Sequence, residues 1–433
     1  MSIVLKDRSW NRLAVLGLDG LPLDLAVRLG KTLPNLGRIV AEATSVDAEI
    51  PELSPVNWTS MFTGEGPEGH GVFGFARFDP DTYESVPVNV EAVTCPTIFD
   101  RLGESGLVSR VINLPNTFPA RPVRGMLVAG FVAEELQRAV HPPFLAAKLH
   151  EAGYEIEPET SDATRNPGAL LKRLHRSLRH RKTALDMLWP DLGWDLFVFV
   201  LTETDRLFHF LFTAVTDELH PLHNQCMDFL RDWDDLLGDF LDRFEALPGP
   251  KRLMVLADHG FTELKTEVCL NTWLSKHGLM SLDFPPESEW DSSKISSQSK
   301  AFALDPGRIY LHRRSRFSRG SLRDTDADRL ALEIKTGLEG LTHEGERVME
   351  RVFTGAELYT GPMRKRAPDL VCLARPGYDL KAKFGRTEVF GFHGRTGAHT
   401  MRGAIWYDSH GSRPARMRDV GKEILKHFNL GTE

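Results

Sequence analysis

Asp205 and His209, in the stretch TETDRLFHFLF, stand four residues apart. On a helix that spacing stacks two side chains on one face, the arrangement in which a carboxylate and an imidazole share a metal ion. The aromatic neighbours Phe208, Phe210 and Phe212 make a merely solvated histidine uncomfortable here. Asp258-His259-Gly260 follows the apolar run LMVLA. Adjacent strand residues face opposite ways, so both reach one ion only where the chain turns, and Gly260 permits the turn. Asp19-Gly20 closes the run RLAVLGL; taken alone, it reads as a turn-forming aspartate. His393 and His399, in FHGRTGAHTMRGAIW, are both in glycine-rich surroundings, and at most one need be a ligand. His70, in PEGHGVFGF, reads as a packing or capping residue after a helix.

An hydroxyl belongs with this set. In LSPVNWTSMFTG, Ser54 is expected as the N-cap of a helix with Pro55 at its first position. A helix start offers unsatisfied N–H groups and the positive end of the macrodipole, a ready cradle for phosphate or sulfate. Three aspartates gathered near it would repel one another and rise in pKa unless cations were present. Two divalent ions remove the conflict. His209, His259 and a late histidine then add nitrogen to the carboxylate oxygens, a mixture zinc accepts and manganese or iron tolerates. Such a pair of ions lowers the pKa of a nucleophile and stabilises a leaving oxygen, which is the help the Ser54 hydroxyl needs.

These residues need elements to position them. Short β-rich apolar runs alternate with longer helical patterns, so the fold class is α/β, a mainly parallel sheet between helical layers. Four runs matter most, at residues 12–20, 194–205, 251–260 and 368–374. The first three end in Asp19, Asp205 and Asp258, and ligands of doubly wound sheets collect at the carboxyl ends of strands. The three aspartates are therefore expected along one sheet edge. Helices are expected over residues 97–104, 167–188 and 224–247, and surface insertions over 285–300 and 313–329. No internal repeat is apparent.

The chain has 433 residues, a formal charge of -7, 41% hydrophobic and 26% charged residues. That is the balance of a soluble globular protein, and without a long basic run it gives no footprint for generic nucleic-acid binding. Cys95, Cys226, Cys269 and Cys372 are far apart and form no C-x-x-C pair, which favours a reducing compartment. MSIVLKDRSWNRLAVLGLDG lacks a signal-peptide pattern, and no run approaches the ~20 apolar residues of a spanning helix, so a cytoplasmic location is expected.

The ordered set Asp19, Ser54, Asp205-x-x-x-His209, Asp258-His259 and a late histidine resembles the alkaline phosphatase superfamily. Within it the chain is similar to the type I phosphodiesterase/nucleotide pyrophosphatase branch and its predicted phosphohydrolase/phosphomutase subgroup. LGLDGLPLDL, SPVNWTSMFTGEGPEGHGVFGF, VINLPNTFPARPVRGMLVAGF, VCLNTWLSKHGLM, KAFALDPGRIYLH and RMRDVGKEILKHFNL carry the likeness over most of the chain. The resemblance implies one three-layer α/β domain over residues 1–433, with surface or lid insertions within 120–170 and 275–345. It implies Asp19, Ser54, Asp258 and His259 around one divalent ion and Asp205, His209 and His399 around another, with zinc favoured and manganese compatible. His399 is preferred because GAHTMRGAIW fits the family's Gly-x-His, although His393-Gly394 offers another alignment. Asn57 matches an asparagine that steadies a phosphate oxygen. Sulfatases share the metal core, but Ser54-Pro55-Val56-Asn57 lacks their x-Pro-x-Arg.

The implied activity is cleavage of a phosphodiester or pyrophosphate in a small molecule through a phosphoserine. A phosphomonoesterase or phosphomutase, or a non-catalytic binding descendant, is the alternative. Arg206, Arg395 and Arg402 lie near enough to the motifs to keep the monoester question open.

Overall fold

The computed structural model describes residues 11–191 and 193–431. Residues 1–10, on which part of the signal-peptide reading rests, lie outside them. The apolar runs form the strands Arg12–Leu18, Ser109–Leu114 and Leu196–Leu201, buried throughout, and Lys251–Leu256, buried beyond its first residue. A strand buried on both faces needs cover on both sides of its sheet. Helices supply that cover, in two packed groups flanking the sheet.

The sheet has eight strands, in the order Thr44–Val46, Ala404–Asp408, Lys251–Leu256, Arg12–Leu18, Leu196–Leu201, Ser109–Leu114, Gly125–Ala129 and Val140–His141. The central pairings are parallel, and antiparallel strands close both edges. Lys251–Leu256, Arg12–Leu18 and Leu196–Leu201 are direct neighbours, with Leu18 opposite Leu201 and Gly17 opposite Leu256. Neighbouring strands run about 4.8 Å apart, so residues just past these three ends must meet.

The helices follow their apolar stripes. Pro167–Leu188 begins where expected, with the Asn166 side chain accepting from the Ala169 N–H, and it buries Leu170, Leu171, Leu174, Leu178 and Leu185. His223–Glu245 buries Phe229, Trp233, Leu237 and Phe240, each contributing roughly 1.5–3 kcal/mol by leaving water. Between those apolar residues, Asp234 accepts the Asn35 and Leu36 N–H groups at the start of the helix Pro34–Val40. Glu203–Thr216, which carries Asp205 and His209, is anchored by the fully buried Arg181–Glu203 pair at 2.9 Å.

One expected member of the sheet lies elsewhere. Leu370–Ala374 is the third strand of a separate four-stranded antiparallel sheet, with Ala301–Leu304, Arg308–Leu311 and Met349–Thr354. A short apolar run announces a buried strand, not the sheet that buries it. This second sheet has its own core, built on Phe302, Ile309, Ile334 and Leu370. The 275–345 stretch thus contains packed strands and the helix Asp324–Glu339. Within 120–170, Gly125–Ala129 and Val140–His141 belong to the main sheet. No helix among the described residues is long and apolar enough to cross a membrane.

Candidate active site

Ser54 is the first residue of the helix Ser54–Thr63, one position later than the N-cap expected for it. Leu53, with φ −126° and ψ 140°, occupies the cap, and no side chain caps the helix. The Ser54 hydroxyl is thereby released from the backbone and lies 3.2 Å from His259 Nε2. One turn on, the buried Trp58 donates its Nε1–H to Asp19 Oδ2 at 3.1 Å. Trp58 was not singled out in the sequence, although its i,i+4 spacing from Ser54 puts both on one helix face.

Six side chains close into two groups. Asp19, Asp258 and His259 form one, and Asp205, His209 and His399 the other, with potential ligand atoms in each within 4.8 Å of one another. Gly20, at φ +70°, makes the turn after the first strand and donates its N–H to Asp258 Oδ1 at 3.2 Å. The remaining oxygens, Asp19 Oδ1 and Asp258 Oδ2, are buried without a hydrogen-bond partner. Leaving a carboxylate oxygen buried and unsatisfied is costly, and a cation is the natural remedy.

The imidazoles point the same way. His259 Nδ1 lies 3.1 Å from the Gly260 carbonyl and His399 Nδ1 lies 3.0 Å from the Glu52 carbonyl. A carbonyl only accepts, so each Nδ1 carries the proton and each neutral ring presents its Nε2 lone pair inward. His259 Nε2 then faces Asp258 Oδ2 at 3.4 Å and Asp19 Oδ1 at 3.8 Å, and His399 Nε2 faces Asp205 Oδ1 at 3.2 Å and His209 Nε2 at 3.0 Å. Lone pairs aimed at carboxylate oxygens repel unless a positive centre stands between them. Mixed oxygen and nitrogen donors of this kind suit zinc and are compatible with manganese.

The titration directions agree with a deficit of positive charge. Burial, then Asp258 and Asp205, pushes Asp19 well above the usual carboxylate range. Burial and Asp205 push Asp258 up to about 6. Burial would also raise Asp205, but His209, His399 and Arg206 outweigh it and hold this carboxylate well below its ordinary value. Burial lowers His209 and His259 to about 4 each, keeping their rings neutral near pH 7.

Several residues weighed from sequence lie differently. Asn57 is fully buried; its Oδ1 accepts from the Glu49 N–H at 2.6 Å and its Nδ2–H donates to the Leu53 carbonyl at 3.0 Å. Its amide fixes the loop before Ser54, a backbone-bracing role the sequence did not indicate. His393 is exposed on its loop and outside both groups, whereas His399 is carried in by the pairing of Gly397–Thr400 with Gly260–Glu263. His70 packs as anticipated, its Nε2 3.0 Å from Ser60 Oγ. Arg206 is bound by Asp205 and by Glu157 at 3.2 Å and lies over Phe131, while the exposed Arg402 pairs with Glu350 at 2.7 Å.

Among solved structures, phosphonoacetate hydrolase from Sinorhizobium meliloti 1021, in complex with phosphonoformate, matches at 16% identity over 99% of both chains, with a TM-score of 0.62. Alkaline phosphatase PafA matches at 13% identity over 98% of this chain and 97% of its own, with a TM-score of 0.59. Murine ectonucleotide pyrophosphatase/phosphodiesterase 5 matches at 14% identity over 98% and 96%, with a TM-score of 0.56. At these identities the likeness is one of fold, the alkaline-phosphatase-like α/β sandwich. No curated protein matches the chain in sequence. The family model for type I phosphodiesterase/nucleotide pyrophosphatase matches residues 13–398, nearly the whole chain. With its two groups of candidate metal ligands gathered at the carboxyl ends of three adjacent parallel strands, the chain belongs to the type I phosphodiesterase/nucleotide pyrophosphatase family.

Proposed function

We propose that the protein hydrolyses phosphodiester or pyrophosphate bonds of a small molecule in two steps, with Ser54 as nucleophile. The observation that carries this reading is the Ser54 hydroxyl, uncapped and 3.2 Å from His259 Nε2, beside two buried carboxylate oxygens that lack partners. Asp19, Ser54, Asp258 and His259 would hold one divalent ion and Asp205, His209 and His399 a second, zinc or manganese by the donor set. When bound, such ions neutralise the carboxylates, lower the pKa of a neighbouring hydroxyl and stabilise a departing oxygen.

The protein's own groups do the rest. In the first step the Ser54 Oγ–phosphorus bond forms as the bond to the leaving oxygen breaks. The electron pair departs with that oxygen, and the hydroxyl proton is lost to solvent. Water then attacks the phosphoserine from the opposite side and regenerates Ser54 with release of phosphate or a phosphomonoester. The Gly260 and Glu52 carbonyls fix the His259 and His399 tautomers, and Trp58 orients Asp19, so the donors are aimed before substrate arrives. A cytoplasmic location, expected from the few and widely spaced cysteines, is part of this proposal.

Ser54→Ala tests the nucleophile. Turnover of bis(p-nitrophenyl) phosphate should fall by roughly a thousandfold or more while bound metal stays unchanged. Full activity in that variant would remove Ser54 from the reaction.

A further inference from the structure

Arg395 sits where a substrate contact would be needed and has no strong internal bond. The helix Glu203–Thr216 breaks at Leu211, whose φ of −134° and ψ of 25° are not helical. Thr396 fills the break: its Oγ1 accepts the Phe212 N–H at 2.8 Å, and its own N–H donates to the His209 carbonyl at 2.9 Å. Gly397 makes the close approach feasible, since a Cβ there would lie 2.3 Å from the Phe208 carbonyl oxygen. Arg395, the preceding residue, is therefore held beside His209 by two hydrogen bonds from its neighbour.

Its guanidinium Nη1 stands 3.5 Å from His209 Nδ1, at the margin of hydrogen bonding, and the group lies 5.8 Å from the centre of the Phe210 ring. Among the described residues no carboxylate lies within 4.0 Å of Arg395. Asp379 feels its charge but is bonded to Lys381 at 2.6 Å. Arg206 and Arg402, by contrast, are engaged by carboxylates. Arg395 is also half-buried, so it has given up part of its hydration without gaining a carboxylate in direct contact.

Its place says which anion. Ser54 lies against His259, whereas Arg395 adjoins the far side of His209, at the Asp205–His209–His399 end. In an in-line displacement the attacking and leaving oxygens stand on opposite sides of phosphorus. Resting on the phosphoester reading above, we propose that Arg395 binds a phosphate carried by the leaving group and is thus the residue on which cleavage of a pyrophosphate bond, and not of a nitrophenyl ester, depends. Arginine suits the task because its planar fork meets phosphate oxygens two at a time.

The test compares two substrates with the same nucleoside and the same scissile phosphorus, thymidine 5′-triphosphate and the p-nitrophenyl ester of thymidine 5′-monophosphate, on the metal-loaded full chain. Arg395→Gln should lower kcat/KM for the triphosphate by roughly ten- to a hundredfold and leave the nitrophenyl ester within about twofold, with unchanged metal content. Arg395→Lys should recover part of the loss. An equal fall on both substrates, or no fall on either, overturns the assignment. If the wild type cleaves neither, the proposed function itself fails. Arg395 is then judged by calorimetry of inorganic pyrophosphate binding to metal-loaded Ser54→Ala with and without Arg395→Gln: a tenfold or greater weakening supports the contact, and equal affinity overturns it.

Discussion

Replacing Asp258 by asparagine should stabilise the metal-free protein and destabilise the metal-loaded one. Asp258 is fully buried, one of its oxygens has no partner, and burial together with Asp205 raises it from 3.8 to about 6. A carboxyl raised on folding contributes stability that is fully present below its unfolded pKa and lost as the pH climbs through its folded one. The window here runs from about pH 4 to about pH 6. Above it, keeping the charge buried costs about 3 kcal/mol, from roughly 1.4 kcal/mol per pH unit. The asparagine is nearly isosteric: its oxygen can still accept from the Gly20 N–H, and its amide can donate towards Asp19. In EDTA near neutral pH, Asp258→Asn should therefore melt above the wild type, and between about pH 4 and about pH 6 the wild type should lose more melting temperature than the variant, which keeps only the other raised carboxyls such as Asp19. With saturating zinc or manganese the order should invert. A ligand bound only by the native state adds about 4 kcal/mol at a thousandfold excess over Kd, and the variant has surrendered a donor. A variant that melts below the wild type with and without metal would refute the argument that these carboxylates are destabilising until neutralised.

Arg181→Met should cost about 3–5 kcal/mol in urea unfolding because it strands the buried Glu203 charge, and adding Glu203→Gln should recover much of it; no recovery would mean that the arginine acts through packing alone. Gly397→Ala should cost about 1–3 kcal/mol by forcing the Gly397–Thr400 strand away from the Phe208 carbonyl. It should also weaken metal binding through His399, and unaltered metal affinity by calorimetry would show that the strand's approach does not place this residue.

How much of this could be read from the chain depends on the range over which each feature is decided. Asp205 and His209 were legible because helical spacing is local, and the aspartates at three strand ends because a buried apolar run shows where it stops. Their convergence followed from the edge rule, and the structure supplies its cause in the adjacency of Lys251–Leu256, Arg12–Leu18 and Leu196–Leu201. Adjacency itself is non-local, which is why the run at 368–374 looked like a fourth member and is not one. Asn57 shows the same limit from the other side: three residues past Ser54 it suits a phosphate contact, yet its partners are the backbone groups of Glu49 and Leu53, fixed by the fold of the preceding loop.

The break at Leu211 had no signal, since neither proline nor glycine marks it and the groups that satisfy it come from Thr396. His399 and His393 look alike locally because both sit in glycine-rich chain; the family resemblance favoured His399, and the register that sets it opposite Phe261 is the physical reason it lies beside Asp205 and His209. The late segment is thus the part least readable locally, and it supplies both a candidate ligand, His399, and Arg395. In this fold the strand ends fix where charge gathers, while contacts made across the chain decide which neighbouring side chains can reach it. Substrate choice should accordingly vary with the 390–403 segment while the aspartates stay in place.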